Sequence, residues 1–568
     1  MSPLHKRMSP LAMLLVGLAL AGCATRPAPA LVEVSLAALN DFHGYLQPSP
    51  FTAQDAAGEK IALKAGGVEA LSGVLAELRR QDPQLLFVGV GDMIGGSPPL
   101  SSMWADEPSL TALKMLGMNL STVGNHELDQ GIGELERQIA GGCDSPRPEK
   151  ACQFDGRYTG SGFAYLSANL EDTAGQPVLP AYRIEQAHGA RIAFVGAVLE
   201  DVASVVTRQG MAGLSATDEA DAINAQVPAL LAQNVDAIVA VVHQGGTTPE
   251  AFDKQDCSQL SGDVVDIARR LDPHIKVLLS AHTHQGYLCK VGDVLVAQGA
   301  SYGRLVTHLT LDVDTREHRL RAVRARNLLV DPARYPGEPA VTAFVRRVEA
   351  RSQALLGRPV ARLAASEVPV AVDANGESPM GGLIADAQLA ATAALGAQAA
   401  LMNRGGVRAG LTSGAGGWVD YGQLAAVQPF NNTLVILTLS GEQLYRLLEQ
   451  QWQSTGFNPL QPSSTFTYAW VDEAKNARHV APGSLRIDGQ PVRADALYKI
   501  TVNSFMADGG DNFTVLAQAG KRLDTGLNDL EALILYLQGR DRAGIPAGQA
   551  RAGQRIQKVR ASLAGSDQ

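Results

Sequence analysis

The chain has 568 residues, more than one ordinary hydrophobic core holds, so two domains of a few hundred residues are expected. A hydrophobic fraction of 46% and a charged fraction of 18% fit a soluble globular protein. With 48 basic against 57 acidic residues the net charge is -9, and no Lys/Arg-rich run is interleaved with aromatics, which argues against a nucleic-acid polymer as partner.

At the N-terminus His5, Lys6 and Arg7 precede an apolar run from Leu11 to Leu20, too short to cross a bilayer as a mature helix. It ends in Leu20-Ala21-Gly22-Cys23, which resembles a bacterial lipobox: residues 1–22 would be removed and Cys23 lipidated. The alternative is an ordinary secretory signal with a chance cysteine. Ala24, rather than Asp, follows the cysteine, and by the lipoprotein sorting pattern this implies the outer membrane, facing periplasm or exterior. Residues 23–31, with Pro27 and Pro29, read as a flexible tether, so membrane contact is expected through the lipid only. Four cysteines remain, Cys143, Cys152, Cys257 and Cys289, and an even count in an exported chain suggests two disulfides. Of the three pairings, Cys143 with Cys152 and Cys257 with Cys289 close the shorter loops; free buried thiols are the alternative.

The apolar run Val32 to Leu39 reads as a strand delivering Asn40-Asp41-Phe42-His43-Gly44 at its end. Residues two apart in an extended segment face the same side, so Asp41 and His43 can grip one ion. An amphipathic helix is expected over Gly66 to Arg80, with Val68, Leu71, Leu75 and Leu78 on one stripe. The strand Leu85 to Val90 empties into Gly91-Asp92-Met93-Ile94-Gly95-Gly96-Ser97, where Asp92 could bridge two cations. The segment Leu120 to Val123 runs into Gly124-Asn125-His126-Glu127-Leu128-Asp129, a cluster costly to bury unless it does chemistry. Two further buried strands, Asp236 to Val242 and Ile275 to Leu279, end in His243-Gln244-Gly245-Gly246 and Ser280-Ala281-His282-Thr283-His284. Five of the 11 histidines, His43, His126, His243, His282 and His284, thus follow expected strands, a concentration hard to explain without metal.

Strands alternating with helices and delivering ligands from their C-terminal ends imply an α/β fold with its site along that edge. The order Asp-x-His, Gly-Asp, Gly-Asn-His-Glu, His, His-x-His resembles the calcineurin-like metallophosphoesterases over about Val32 to Leu328. That resemblance implies a four-layer β-sandwich flanked by helices over residues 32–330. It also implies two divalent cations of the Zn, Mn, Co or Fe class: Asp41, His43, Asp92 and His284 would hold one, and Asp92, Asn125, His243 and His282 the other. His126 would face the substrate. Asp129, three residues on, can fix its tautomer and stabilise its charged form, or serve as a helix N-cap. Glu127 has no assignment.

After Leu328, Asp331-Pro332 and Tyr335-Pro336-Gly337-Glu338-Pro339 break the rhythm, and Ala340 to Leu356 reads as a linker helix within residues 331–356, with Arg346, Arg347 and Arg351 on its solvated face. A second domain is expected over residues 357–561, followed by a tail, 562–568. In Asn403-Arg404-Gly405-Gly406-Val407-Arg408 two arginines flank a glycine turn and could fork onto phosphate oxygens. Phe430 in Gln428-Pro429-Phe430-Asn431-Asn432 and Phe505 in Asn503-Ser504-Phe505-Met506 each sit among polar residues; facing one another, two such rings would stack on a planar base. Asp511 could accept from a ribose hydroxyl or a base edge.

Together these three stretches resemble the C-terminal domain of the bacterial and animal 5'-nucleotidases, an α/β nucleotide-binding domain. The resemblance implies that Phe430 and Phe505 sandwich the base and that Asn403, Arg404 and Arg408 contact phosphate or sugar. One stretch departs from the pattern: Met380-Gly381-Gly382-Leu383 stands where many members carry Gly-Asn-Leu, and Gly376-Glu377 where some place an Arg. The implied activity is hydrolysis of nucleoside 5'-monophosphates, with di- and triphosphates as further candidates, outside the cytoplasm, by attack of a metal-activated water at phosphorus in nucleotide salvage. A domain rotation would bring bound substrate to the metals. The alternatives are a UDP-sugar or NAD pyrophosphatase, a 2',3'-cyclic phosphodiesterase with 3'-nucleotidase activity, a thiosulfohydrolase, which the Phe pair disfavours, or a non-catalytic nucleotide-binding envelope lipoprotein, which the full ligand set disfavours. No protein partner is evident.

Overall fold

Leu86–Val90 and Ala237–His243 are buried at every position, the mark of strands covered on both faces. They are central to two six-stranded sheets. The first runs Arg319–Leu329, Leu305–Asp314, Leu31–Leu39, Leu86–Val90, Leu120–Thr122, Ala164–Leu166, with the last four strands mutually parallel. The second runs Gly286–Val291, Val294–Gly299, Ile275–Ser280, Ala237–His243, Ala190–Val198, Tyr182–Ala187, with its four middle strands parallel. In this computed structural model the described residues are 31–559, except 208, 431, 454–455, 476–477 and 549–554. The signal segment, Cys23, nearly all of the tether and the 562–568 tail lie outside them.

Strand alternation decides what each face buries. Val34, Leu36 and Ala38 point between the sheets, meeting Phe194, Val239, Val241 and Leu279 of the second sheet. Ala37 and Leu39 point the other way, onto Leu71, Val74 and Leu75 of the helix Val68–Gln81 and Leu110 and Leu113 of the helix Glu107–Met115. The second sheet is covered outside by Glu219–Ala232 and Asp263–Arg270 through Ile223, Val227, Leu230, Val264 and Ile267. The result is the four-layer helix, sheet, sheet, helix sandwich that the family resemblance implies. The cysteines pair Cys143 with Cys152 and Cys257 with Cys289.

The helix Pro339–Leu356 is docked rather than free, burying Val341, Phe344, Val345 and Val348 in the same core as Leu71 and Leu75. Of its basic residues, Arg347 pairs with Asp155 at 3.0 Å and lies 5.2 Å from the Phe154 ring centroid, where Arg351 joins it at the same distance. No helix among the described residues is long and apolar enough to cross a membrane.

The C-terminal part is built on a five-stranded sheet ordered Gln461–Pro462, Ala399–Met402, Leu497–Asn503, Thr433–Ser440, Lys521–Asn528. Helices Pro379–Thr392 and Asp529–Arg542 cover one face through Ile384, Leu533 and Leu537; Leu444, Leu447, Phe466 and Trp470 cover the other. Ala399–Met402 and Leu497–Asn503 are parallel, and Thr433–Ser440 is antiparallel to Leu497–Asn503. The segments leaving the first two strands, at Asn403 and Ser504, and the one entering the third, after Phe430, therefore meet at one edge. The departing stretch Met380-Gly381-Gly382 is helical: a Cβ on Gly381 would sit 2.4 Å from Gln461 Cγ and one on Gly382 2.9 Å from Arg555 Nη1, so the glycines serve helix packing.

Candidate metal centre and adjoining cleft

Every strand carrying a predicted ligand ends on the same edge of the sandwich, and the loops that follow are zipped to one another. Asp41, His43 and Gly44 donate their N–H groups to the carbonyls of Gly91, Asp92 and Met93 at 3.1, 2.9 and 3.1 Å. Five of the predicted ligands adopt left-handed φ angles: Asp41 and His43 at 48°, Asp92 at 52°, His282 at 70° and His284 at 57°. Non-glycine residues in that region are uncommon and strained, and a cluster of them is characteristic of functional sites. The turns aim side chains inward where a relaxed strand end would splay them.

The donors form overlapping groups. Asp41, His43 and His284 lie together, as do Asp92, His243 and His282, with the ligand atoms of each group within 4.8 Å of one another. Asp92 stands between them: its Oδ2 is 3.6 Å from His43 Nε2 and 3.2 Å from His243 Nε2. Asn125 Oδ1 completes the second group at 3.1 Å from His243 Nε2 and 3.0 Å from His282 Nδ1. Close approach requires glycine at 124, where a Cβ would fall 2.2 Å from Asp92 Oδ1.

The chemistry of this donor set suits divalent cations. His43 Nδ1 faces the Gly95 carbonyl at 2.7 Å and His243 Nδ1 the Val90 carbonyl at 2.8 Å, so each ring can donate there and present a bare Nε2 to the centre. Burial holds His43 and His284 well below the usual imidazole range, neutral as ligation needs. Burial raises Asp41 to about 7, although Asn40 and the His282 N–H donate to it; a neighbouring cation removes that cost. For Asp92, burial is outweighed by His243 and His126, which keep it well below the carboxylate range.

His126 overlaps these groups: its ligand atom lies within 4.8 Å of those of His43 and Asp92, and its ring meets His43 edge-on at 5.1 Å. Its N–H donates to Asp92 Oδ1 at 2.9 Å and its Nδ1 meets Asp129 Oδ2 at 2.9 Å. Burial opposes its charged form, but Asp129 and then Asp92 favour it, and the net shift is upward. Glu127, without a role from sequence, is 2% exposed and accepts three main-chain N–H groups: Asp92 at 2.9 Å, Met93 at 2.8 Å and Gly124 at 2.8 Å.

The edge of the C-terminal sheet faces this centre across a cavity of about 340 Å³. Asp92, Asn125, His126, His282 and His284 line one side and Asn403, Arg408, Phe430, Phe505 and Asp511 the other, so the metal donors and the aromatic pair share one space in this arrangement. Phe430 stacks on His126, ring centroids 5.5 Å apart and planes 11° off parallel, and the Arg408 guanidinium lies 5.5 Å from the Phe430 centroid. Asn403 is 2% exposed, with its Nδ2 donating to Asp511 at 2.7 Å and its Oδ1 accepting from Asn503 at 3.0 Å; its polar atoms orient Asp511. Arg404 is exposed and is not part of the cavity wall. A second cavity of about 540 Å³ adjoins at His126, Asp129 and Phe430, lined by polar side chains that include Arg147, Lys150 and Asp106.

Sequence reading passed over three residues besides Glu127. Asn40, one position before Asp41, donates to Asp41 Oδ2 at 2.7 Å and to the Ala300 carbonyl. Tyr302 and Arg304 follow the strand Val294–Gly299, which ends in a polar, glycine-containing turn, the same signal that marked the ligands.

Residues 34–286 match the family of calcineurin-like phosphoesterases, and residues 359–518 match the 5'-nucleotidase C-terminal domain. Endonuclease YhcR of Bacillus subtilis (strain 168) is 31% identical over 512 residues, covering 90% of this chain and 40% of that protein. The chain thus spans less than half the length of that relative. Cell wall protein Lmo0130 of Listeria monocytogenes is 27% identical over 575 residues, 95% of this chain and 71% of its own length. Among solved structures, a 5'-nucleotidase precursor from Thermus thermophilus superimposes with a TM-score of 0.74 at 25% identity, over 93% of this chain and 99% of that one.

Proposed function

Because the chain belongs to the calcineurin-like phosphoesterases that carry a 5'-nucleotidase C-terminal domain, we propose that it hydrolyses nucleoside 5'-monophosphates to nucleoside and phosphate outside the cytoplasm. The observation carrying this reading is the cavity that Asp92, Asn125, His282 and His284 of the donor set share with the two phenylalanines. Phe430 and Phe505 stack on the base, Asp511 accepts from the ribose, and Arg408 holds phosphate charge. Asp41, His43, Asp92 and His284 hold one divalent cation and Asp92, Asn125, His243 and His282 the other. Bound there, such a pair would supply an acidified water and positive charge to offset that of the phosphate. As water oxygen bonds to phosphorus and the bond to the ribose oxygen breaks, the proton lost by the water balances the one gained by the departing ribose oxygen, and His126, whose charged form Asp129 favours, donates a hydrogen bond to the phosphoryl group. Rotation of the C-terminal domain admits substrate and releases product. Lipid on Cys23 tethers the protein to the outer membrane.

The adjoining polar cavity favours a second reading, a nucleoside diphosphate derivative whose leaving group extends past His126 into that space. Release of cleavage products from AMP, UDP-glucose and a 2',3'-cyclic nucleotide, followed by chromatography, each with and without chelator and with Zn, Mn, Co or Fe restored, tests both. Chelator-sensitive release from AMP supports the first reading. Cleavage of UDP-glucose to UMP and glucose 1-phosphate without cleavage of AMP favours the second, and chelator-resistant or absent cleavage across the panel overturns both.

A further inference from the structure

We propose that Tyr302 is a positioning residue whose hydroxyl is the docking point on the metal-binding domain for Arg408 of the C-terminal domain. The inference rests on the reading of Arg408 as the phosphate-holding group. Tyr302 is fixed from every side. Its φ is 63°, and its N–H donates to the Asp41 carbonyl at 2.7 Å, tying it to the first ligand loop. Its ring stacks on Tyr45 with centroids 4.0 Å apart and planes 18° off parallel, while the Arg304 guanidinium, anchored on Ser49 Oγ at 3.0 Å, lies 4.4 Å from its centroid. The ring meets the imidazoles of His43 and His284 edge-on at 5.7 and 5.3 Å. The hydroxyl of this clamped ring accepts from Arg408 Nη2 at 3.4 Å, across the domain boundary.

The chemistry of the acceptor matters. A loaded metal centre is cationic and repels a guanidinium until phosphate arrives between them. A carboxylate at position 302 would hold Arg408 but neutralise it. A phenol holds it and leaves its charge for the phosphate. Arg408 also lies over Phe430, which stacks on His126, so Tyr302, Arg408, Phe430 and His126 form one chain of contacts that crosses the boundary at both ends. Domain closure and placement of the phosphate-holding group are thereby one event.

The variant Tyr302→Phe keeps the ring and removes only the hydroxyl. We expect kcat/KM for AMP to fall about tenfold, as for a lost hydrogen bond to a charged group, with metal content unchanged. Combining it with Arg408→Ala should add nothing to the loss from Arg408→Ala alone. Small-angle scattering without substrate should show both single variants shifted to the same larger radius of gyration. Multiplying losses in the double variant, metal loss in Tyr302→Phe, or activity and scattering both unchanged would each overturn the proposal. The scattering arm needs no turnover. If the wild type fails to cleave AMP while both variants still open, the contact stands and the nucleotidase reading fails.

Discussion

Glu127 accepts the main-chain N–H of Asp92 at 2.9 Å, and through the same oxygen that of Gly124 at 2.8 Å. One buried carboxylate therefore holds the loop that carries Asp92 against the loop that carries Asn125. Its other oxygen takes the Met93 N–H at 2.8 Å and the Tyr165 hydroxyl at 3.4 Å. In Glu127→Gln an amide NH2 must face one of these donor pairs. Metal affinity should weaken by about 10–100-fold, the usual cost of losing an outer-shell partner. Titration of stripped protein with Mn or Zn measures it, and wild-type affinity in the variant would refute this role.

The His126 main-chain N–H donates to Asp92, and its ring faces Asp129, Phe430 and, edge-on, His43. His126→Asn should slow turnover of AMP by at least about 100-fold, the scale of lost acid-base or charge stabilisation, with both metals retained. Metal analysis beside the rate decides it; loss of metal would make His126 a ligand.

The two phenylalanines differ in what lies behind them. Phe505 backs onto Gly510, where a Cβ would be 2.4 Å from its ring, whereas Phe430 backs onto His126. Phe505→Ala should raise KM for AMP about tenfold or more, in line with roughly 1–3 kcal/mol per stacked base, and leave cleavage of 4-nitrophenyl phosphate nearly unchanged. Phe430→Ala should in addition lower kcat for both substrates. Equal effects of the two variants on both substrates would contradict this division.

Arg408 lines the cavity and Arg404 does not. Arg408→Ala should cost about 100-fold or more in kcat/KM, the range for a charged hydrogen bond lost together with its Coulombic effect. Arg404→Ala should change it less than about twofold, as exposed surface substitutions generally do. A large effect at Arg404 would show that the turn rearranges when substrate binds.

Asp529, 2% exposed at the start of the helix Asp529–Arg542, is pushed up to about 7 by burial, against hydrogen bonds from the Leu530 N–H and Asn432. The folded state thus favours the protonated acid. Its contribution is fully present below the ordinary carboxylate range and is lost as pH rises towards 7. Asp529→Asn should leave stability near pH 4 little changed and raise it near pH 8 by about 2–4 kcal/mol. Denaturant melts at the two pH values measure this, and an identical pH dependence in both proteins would exclude it.

Much of the fold was legible because strand burial is local. Runs such as Ala237–His243 and Ile275–Ser280 announce themselves by composition, and the polar turns after them stand out against it. The docking of Pro339–Leu356 was harder to see: its Arg residues suggested a solvated face, yet Phe344, Val345 and Val348 at helical spacing bury the opposite side, and the guanidiniums of Arg347 and Arg351 lie over Phe154. The Gly381-Gly382 departure could not be interpreted locally, because Gln461 and Arg555, the side chains that need the space, arrive from distant segments.

Asp41, His43, Asp92, Asn125, His243, His282 and His284 stood out in the sequence because each follows an expected strand, and the structure brings them to one edge as candidate donors. Tertiary structure decided what those donors could not reveal about their support. Glu127 meets Asp92 across 35 residues, Tyr302 meets Arg408 across 106, and Asn403 meets Asp511 across 108. The periodicity of a strand or helix fixes which way a side chain points within its own element. Which partner waits there depends on the packing of whole sheets and on the domain boundary. That is why Glu127 had no role before its three N–H donors came into view, and why Arg408 rather than Arg404 faces the metal centre.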